Sequence, residues 1–169
     1  HISNIKKFGL TPIVAINSFI LDTKKEISAV KDFCKSQKVE VSESTHWADG
    51  GKGAKDLAKK VVKICKASKK KNFKFLYEDN QSLWSKVETI AKEIYKASSI
   101  TADENVKKQL KIFEDNGYGK LPVCIAKTQY SFSVDPKLKG APTGHEISIR
   151  EVRLSSGAEF IVVVCGSIM

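Results

Sequence analysis

"TPIVAINSFILDTKKEISAVKDFCKSQKVEVSES", residues 11–44, decides the fold. Its first seven residues form a short β-branched run without charge, the composition of a strand buried in a parallel sheet. In residues 22–38 the apolar Ile27, Val30, Phe33 and Cys34 recur at helical spacing. Asp22 or Thr23 can cap the start of that helix, and Glu26 stands near the capping-box position. "VEVSES", residues 39–44, reads as a second short strand. "STHWADGGKGA", residues 44–54, overlaps its end and leads into a helix through Leu57, Val61, Ile64 and Cys65. Strand, helix, strand, helix is the order of a βαβ layer. The expected fold is therefore α/β, a three-layer, mostly parallel sheet with flanking helices.

Downstream, "SKKKN" at residues 68–72 reads as a basic loop, and "FKFLY" at 73–77 as a strand or an extended connection. "SLWSKVETIAKEIYKA" is amphipathic, with Leu83, Val87, Ile90, Ala91 and Ile94 on one face. "TADENVKKQLKIFEDNGYG" reads as a helix capped at Thr101, with Glu104 three residues on and Gly117 and Gly119 ending it. The last third changes character. "LPVCIAKT" is a strand and "QYSFSVDPKLKGAPTG" a long loop, of the kind that usually carries function. "HEISIREVRL" and "EFIVVVCG" are strands joined by the hairpin-like "SSGA". A smaller β-rich portion with a hairpin thus follows the βαβ part, with a sub-boundary expected near residues 119–122 inside a single 1–169 piece.

Composition narrows the function classes. The 169 residues are 41% hydrophobic and 28% charged, with a formal net charge of +10. Nearly all the basic residues are lysines; Arg150 and Arg153 are the only arginines. Sequence-specific DNA readers favour arginine for bidentate base contacts, so the charge reads first as a solvated lysine surface. A polyanion- or nucleic-acid-binding module is the alternative. No apolar run approaches the roughly 20 residues of a membrane helix, and no membrane partner is expected. Cys34, Cys65, Cys124 and Cys165 are isolated, without a CxxC pair, which argues against zinc and for buried free thiols in a reducing compartment. With Met169 the only methionine, the chain reads as a piece of something longer.

The chemistry-bearing stretch is residues 44–54. Gly50, Gly51 and Gly53 stand where a strand passes into a helix, either as a backbone cradle for an anion or as a tight turn. The GxxxxGK[ST] spacing of a P-loop is absent. Trp47 is a flat platform for a ring. His46 has no evident nucleophile or acid beside it and reads as structural, and Asp49 as a helix cap. Phe19 lies beyond the carboxyl end of the first strand, where open α/β sheets bind ligands, unless it covers the next helix. If the two strands are parallel neighbours, Phe19 and Trp47 emerge at one sheet end and can clamp a planar ligand. Lys127 ends a strand at the mouth of the long loop, to meet a phosphate or carboxylate or to lie exposed.

"PIVAINSFILDT", "STHWADGGKGA", "NFKFLY", "IAKEIY", "GYGKLPVCIAKTQYSFSVDPKLKGAPTG" and "IREVRLSSGAEFI" stand here in the order in which similar stretches occur in formate–tetrahydrofolate ligase. The resemblance covers essentially the whole chain. It implies an enzyme that joins formate to tetrahydrofolate with ATP through formyl phosphate, giving 10-formyltetrahydrofolate, ADP and phosphate. It also implies Mg²⁺ with ATP, a monovalent cation, tetrahydrofolate in its polyglutamate form, a homo-oligomer, and a cytoplasmic or, in a eukaryote, mitochondrial location. Phe19, in the Asn17-Ser18-Phe19 stretch, and Trp47, ahead of Gly50 and Gly51, match the positions that sandwich a ligand ring. Pro142 and Thr143 match a loop near the nucleotide. The phosphate loop and main catalytic residues of the family lie upstream of the matched part, so no catalytic residue, metal ligand or tightly held cofactor is expected within this chain, and the piece alone is expected to be inactive. The chain departs from the family pattern at Leu21 and His145, at Lys96 (in a turn that usually begins with glycine) and at Glu159, where a glycine is usual.

Overall fold

The structure is a computed structural model that describes residues 1–68, 73–127, 129 and 131–166. The basic loop expected at 68–72 falls, but for Ser68, outside the described residues. The chain forms two compact units, His1–Lys74 and Phe75–Met169. The residues around 119–122 lie inside the second. Mixed α/β architecture, with parallel and mixed sheets flanked by helices, is what the sequence pattern called for.

The first unit begins with a short helix, α1 (Ile2–Lys7), that the sequence reading did not contain. Strand β1 (Ile13–Asn17), helix α2 (Lys24–Ser36) and strand β2 (Glu40–Ser44) follow as expected. β1 and β2 pair in parallel, from Ile13 opposite Glu40 to Asn17 opposite Ser44. The choice of cap resolves to Thr23. Its hydroxyl accepts from the Glu26 N–H at 3.3 Å, and the Glu26 carboxylate accepts from the Thr23 N–H at 2.8 Å. The Thr23 N–H first, and second the Thr23 hydroxyl, which donates to the same carboxylate at 2.7 Å, hold the Glu26 carboxyl below the usual carboxylate range. After β2 come a four-residue helix, α3 (His46–Asp49), a 3-10 turn (Gly50–Ala54) and helix α4 (Lys55–Ala67).

Residues 73–77, which run from the end of the first unit into the start of the second, are irregular and strand-free, settling the open choice there for a connection. Helix α5 (Leu83–Glu93) follows, then strand β3 (Ser99–Ala102), helix α6 (Glu104–Asp115), and strands β4 (Val123–Ala126), β5 (Glu146–Ser155) and β6 (Phe160–Cys165). The sheet order is β3-β5-β6-β4. β5 and β6 form the expected antiparallel hairpin, while β3 runs parallel to β5 and β4 parallel to β6. Thr101 does not cap α6. It is paired with Ser148 in β3, and the Asp103 carboxylate accepts from the Val106 N–H at 2.8 Å instead. Strand pairing takes the threonine's backbone, and the aspartate is the residue left at the helix mouth.

The core belongs to the second unit. Leu83, Val87 and Ala91 of α5, with Val106, Leu110 and Phe113 of α6, cover Ile147, Ile161 and Val163 of the sheet. Each fully buried Leu, Ile or Val contributes about 1.5–3 kcal/mol. Two departures from the family pattern fall at left-handed backbone. Lys96 has φ 59° and Glu159 φ 56°, positions at which glycine avoids a cost of about 1–2 kcal/mol.

The cysteines do not behave alike. All four are free, but Cys65 and Cys124 are exposed, contrary to the expectation of uniform burial. Both occupy apolar stretches whose pattern announces burial that these 169 residues do not supply. Cys34 and Cys165 are buried, and burial pushes the Cys165 thiol up to about 12, which makes it inert.

Candidate functional site

Parallel pairing of β1 and β2 sets the site in the first unit. Asn17 and Ser44 are opposite each other at the ends of the two strands, and the Ser18 N–H donates to the Ser44 carbonyl at 2.9 Å. Beyond them the chain must leave the sheet twice, at one end. The first exit is a turn closed on itself: the Phe19 N–H donates to the Asp22 carboxylate at 2.7 Å, and the Asp22 N–H to the Phe19 carbonyl at 3.0 Å. The second is α3, whose Ala48 and Asp49 amides donate to the Thr45 carbonyl. Asp49 does not cap α4, which starts after Ala54. Its carboxylate instead accepts from the Thr45 hydroxyl at 2.7 Å, bracing the helix that carries Trp47.

Phe19 and Trp47 meet. Their ring centroids are 6.1 Å apart with planes tilted by 52°. Trp47 is 75% exposed and Phe19 51%, so Phe19 is not spent on covering the next helix. A ring held between two others needs contacts of about 3.5 Å on each face, hence roughly 7 Å between near-parallel planes. Here the two touch each other as a tilted aromatic pair.

The glycines divide into two kinds. Gly50 has φ 56° and open space around it, and a side chain at Gly51 would meet nothing within 4 Å. Gly53 is the constrained one. A Cβ there would lie 2.5 Å from the Thr45 carbonyl carbon and 2.6 Å from the His46 nitrogen. The Thr45 N–H donates to the Gly53 carbonyl at 3.2 Å, so the 3-10 turn is tied to the end of β2. Sequence reasoning put its weight on Gly50 and Gly51; only the close approach to Thr45 singles out Gly53. His46 Nδ1 is 3.0 Å from the Ser44 hydroxyl, a partner the sequence reading did not name. The Ser42 hydroxyl donates to Asp56 at 2.7 Å and, with Lys60, keeps that carboxyl below its usual range.

Lys127, Pro142 and Thr143 lie in the second unit. Lys127 follows β4 and is partly buried. Its ammonium donates to the Ser131 carbonyl and sits 5.1 Å from the Tyr95 ring centroid and 5.9 Å from that of Phe132. Burial lowers its pKa from the ordinary lysine value. It holds the root of the long loop rather than standing exposed. Pro142 is half-buried and Thr143 exposed. Just after them the Gly144 N–H donates to the Lys96 carbonyl, and the Ser98 hydroxyl to the Gly144 and His145 carbonyls. His145 Nε2 is 3.0 Å from the Phe132 carbonyl, while its Nδ1 is buried without a partner among the described residues.

A separate cleft of about 590 Å³ in the second unit is lined by Asp79, Gln81, Ser82, Glu114 and Lys120, among others, and contains none of the candidate binding residues. No group of three or more His, Cys, Asp or Glu side chains among the described residues is placed to hold a metal ion. No helix among them is long and apolar enough to cross a membrane. Several lysines are engaged with acids, as in Lys31–Glu43, Lys60–Asp56, Lys92–Glu88 and Lys111–Asp115, which fits a solvated surface.

Comparison with known proteins gives this arrangement its setting. The family model described as formate–tetrahydrofolate ligase matches residues 1–169. The chain is similar, at 58% identity over its whole length, to the formate–tetrahydrofolate ligase of Pelagibacter ubique. It is 54% identical to that of Ruegeria pomeroyi and 55% identical to that of a Ruegeria species. In each case the match takes 100% of this chain and 30% of the relative, so the chain spans under a third of those proteins. The chain belongs to the formate–tetrahydrofolate ligase family.

Proposed function

We propose that this chain is the part of a formate–tetrahydrofolate ligase that supplies the aromatic platform for a substrate ring, in an enzyme that makes 10-formyltetrahydrofolate, ADP and phosphate from formate, ATP and tetrahydrofolate. The observation that carries the reading is the Phe19–Trp47 pair, exposed and 6.1 Å apart where two parallel strands end. To admit a pterin or adenine ring, Trp47 turns until its plane parallels that of Phe19. Its exposure leaves room for that rotation, and two ring stacks replace one tilted contact. Asn17 and the Gly50–Gly51 backbone border the platform; within the second unit, taken by itself, Lys127, Pro142 and Thr143 are the residues we assign to the nucleotide. The described residues form no cluster suited to Mg²⁺, which on this reading arrives with ATP and is held by the rest of the enzyme.

Phosphoryl transfer depends on positioning and on charge stabilisation at the phosphates. The platform provides neither, so these 169 residues alone should show no ATP- and formate-dependent formylation. Turnover at the rate of the full-length enzyme would end that claim. In the full-length enzyme, Trp47→Ala removes one stacking face, which costs about 0.5–1.5 kcal/mol beyond lost area. The expected result is a KM for folate or ATP raised roughly tenfold, with Trp47→Phe close to the wild type. Unchanged KM values for both substrates would rule out the clamp.

A further inference from the structure

We propose that the outer edge of β1 takes a further parallel strand from the part of the ligase chain outside these 169 residues. The inference rests on the reading of the chain as part of a longer ligase, and it concerns assembly rather than substrate.

A parallel sheet is normally covered on both faces, and two strands alone are marginal. In a parallel ladder the N–H and C=O of one residue serve the same neighbour, and successive residues alternate sides. Ser18 donates to Ser44, the partner opposite Asn17. The backbones of Val14, Ile16 and Ser18 therefore face β2, and those of Ile13, Ala15 and Asn17 face away.

The two edges of this sheet are not equivalent. On the β2 side the chain closes its own edge: Lys60 Nζ donates to the Val41 carbonyl at 2.8 Å, and the Thr45 N–H is taken by Gly53. Among the described residues no bond of that kind meets the β1 edge. Apolar side chains of the same unit are also uncovered. Ile20 and Leu21, just past β1, are 97% and 89% exposed, and α2 leaves Val30 and Phe33 at 41% and 58%. Apart from Pro12, the buried apolar residues of this unit are Cys34 and Val39. Val30 and Phe33 belong to the stripe whose spacing marked a core face, so the pattern is complete and its cover is missing. The relatives supply the source of that cover, since the match takes only 30% of each of them. The occupant is a β-branched strand, apolar on both faces, with a helix that packs over Val30 and Phe33.

The test is hydrogen exchange on the full-length ligase, resolved to single amides over residues 12–18, with formylation assayed on the same sample. The expected result is exchange at least about 100-fold slower than in an unstructured chain at Ile13, Ala15 and Asn17, as well as at Val14, Ile16 and Ser18. That protection should survive tenfold dilution. Fast exchange at Ile13, Ala15 and Asn17 beside slow exchange at the other three overturns the proposal, because the edge is then open. Protection lost on dilution also overturns it, in favour of a second copy at this edge. Ala15→Pro removes one outward N–H and is tolerated only on an open edge. In the full-length protein it should lower the melting temperature and speed exchange at Ile13 and Asn17; a wild-type melt would contradict the paired edge. An active enzyme with a fast-exchanging edge rejects the strand alone, and an inactive one with a protected edge rejects the proposed activity alone.

Discussion

Gly53→Ala in the full-length ligase is expected to lose roughly 3 kcal/mol of stability, at the upper end of ordinary overpacking. The added Cβ would meet the Thr45 carbonyl carbon at 2.5 Å, the His46 nitrogen at 2.6 Å and the Thr45 oxygen at 2.7 Å. All three are backbone atoms, so no side chain can turn aside to relieve the clash. Either the 3-10 turn lifts from the end of β2, breaking the Thr45–Gly53 hydrogen bond, or the Thr45–His46 peptide moves. The second route shifts α3 and Trp47 with it. The variant should therefore melt earlier and also raise the same KM that Trp47→Ala raises. Gly51→Ala is the control, with open space around it and an expected change within about 0.5 kcal/mol. Gly50→Ala should cost more than Gly51→Ala, since its φ of 56° with ψ −140° is a sparsely populated region for an L-residue, at about 1–3 kcal/mol. Equal melting temperatures for Gly53→Ala and Gly51→Ala would show that the turn is not seated on Thr45.

This ranking of the glycines marks the limit of what was legible in the sequence. Residues 11–44 announced their elements because each signal is local: a β-branched run, a helical stripe, and a threonine three residues ahead of a glutamate. The meeting of Phe19 and Trp47 was legible too, because two adjacent parallel strands must end at one side of their sheet. Gly53 was not, since its constraint is a close approach to a residue eight positions away. Strand β3 was missed for a different reason. Ser-Ile-Thr-Ala is short and half polar, and its threonine with the glutamate of α6 imitates a capping box. What decides the matter is pairing with β5, which lies more than 40 residues on. The exposed Val30, Phe33 and Cys65 mark a third limit: helical spacing was read as a core face, and these side chains stand uncovered.

Lys86 is the residue that sequence reasoning had least reason to suspect, and its loss should have the largest effect on the second unit. It lies three residues after Leu83 and one before Val87, on the buried face of α5, and it is fully inaccessible. Its ammonium donates to the Gly119 carbonyl at 2.8 Å and the Leu121 carbonyl at 3.1 Å, and lies 5.8 Å from the Tyr77 ring centroid. It thereby ties α5 to the turn that leads into β4. Lys86→Ala opens a cavity and orphans both carbonyls, for an expected loss of about 4 kcal/mol. Lys86→Met fills most of the volume and loses about 2 kcal/mol, because the carbonyls stay unpaired but no charge is buried. The charge itself gives a second readout. Burial lowers the Lys86 pKa, with Asp79 and Glu114 opposing the shift. Between that lowered value and the ordinary 10.5 the unfolded chain binds the proton and the native chain does not. Wild-type stability should therefore gain a contribution that rises with pH through that window and is absent below it. Lys86→Met removes the contribution, so the stability difference between the two proteins should widen as pH rises. A difference that stays constant up to pH 10.5 would mean that Lys86 keeps an ordinary pKa, and that the bonds to Gly119 and Leu121 stabilise its charged form as well as water does.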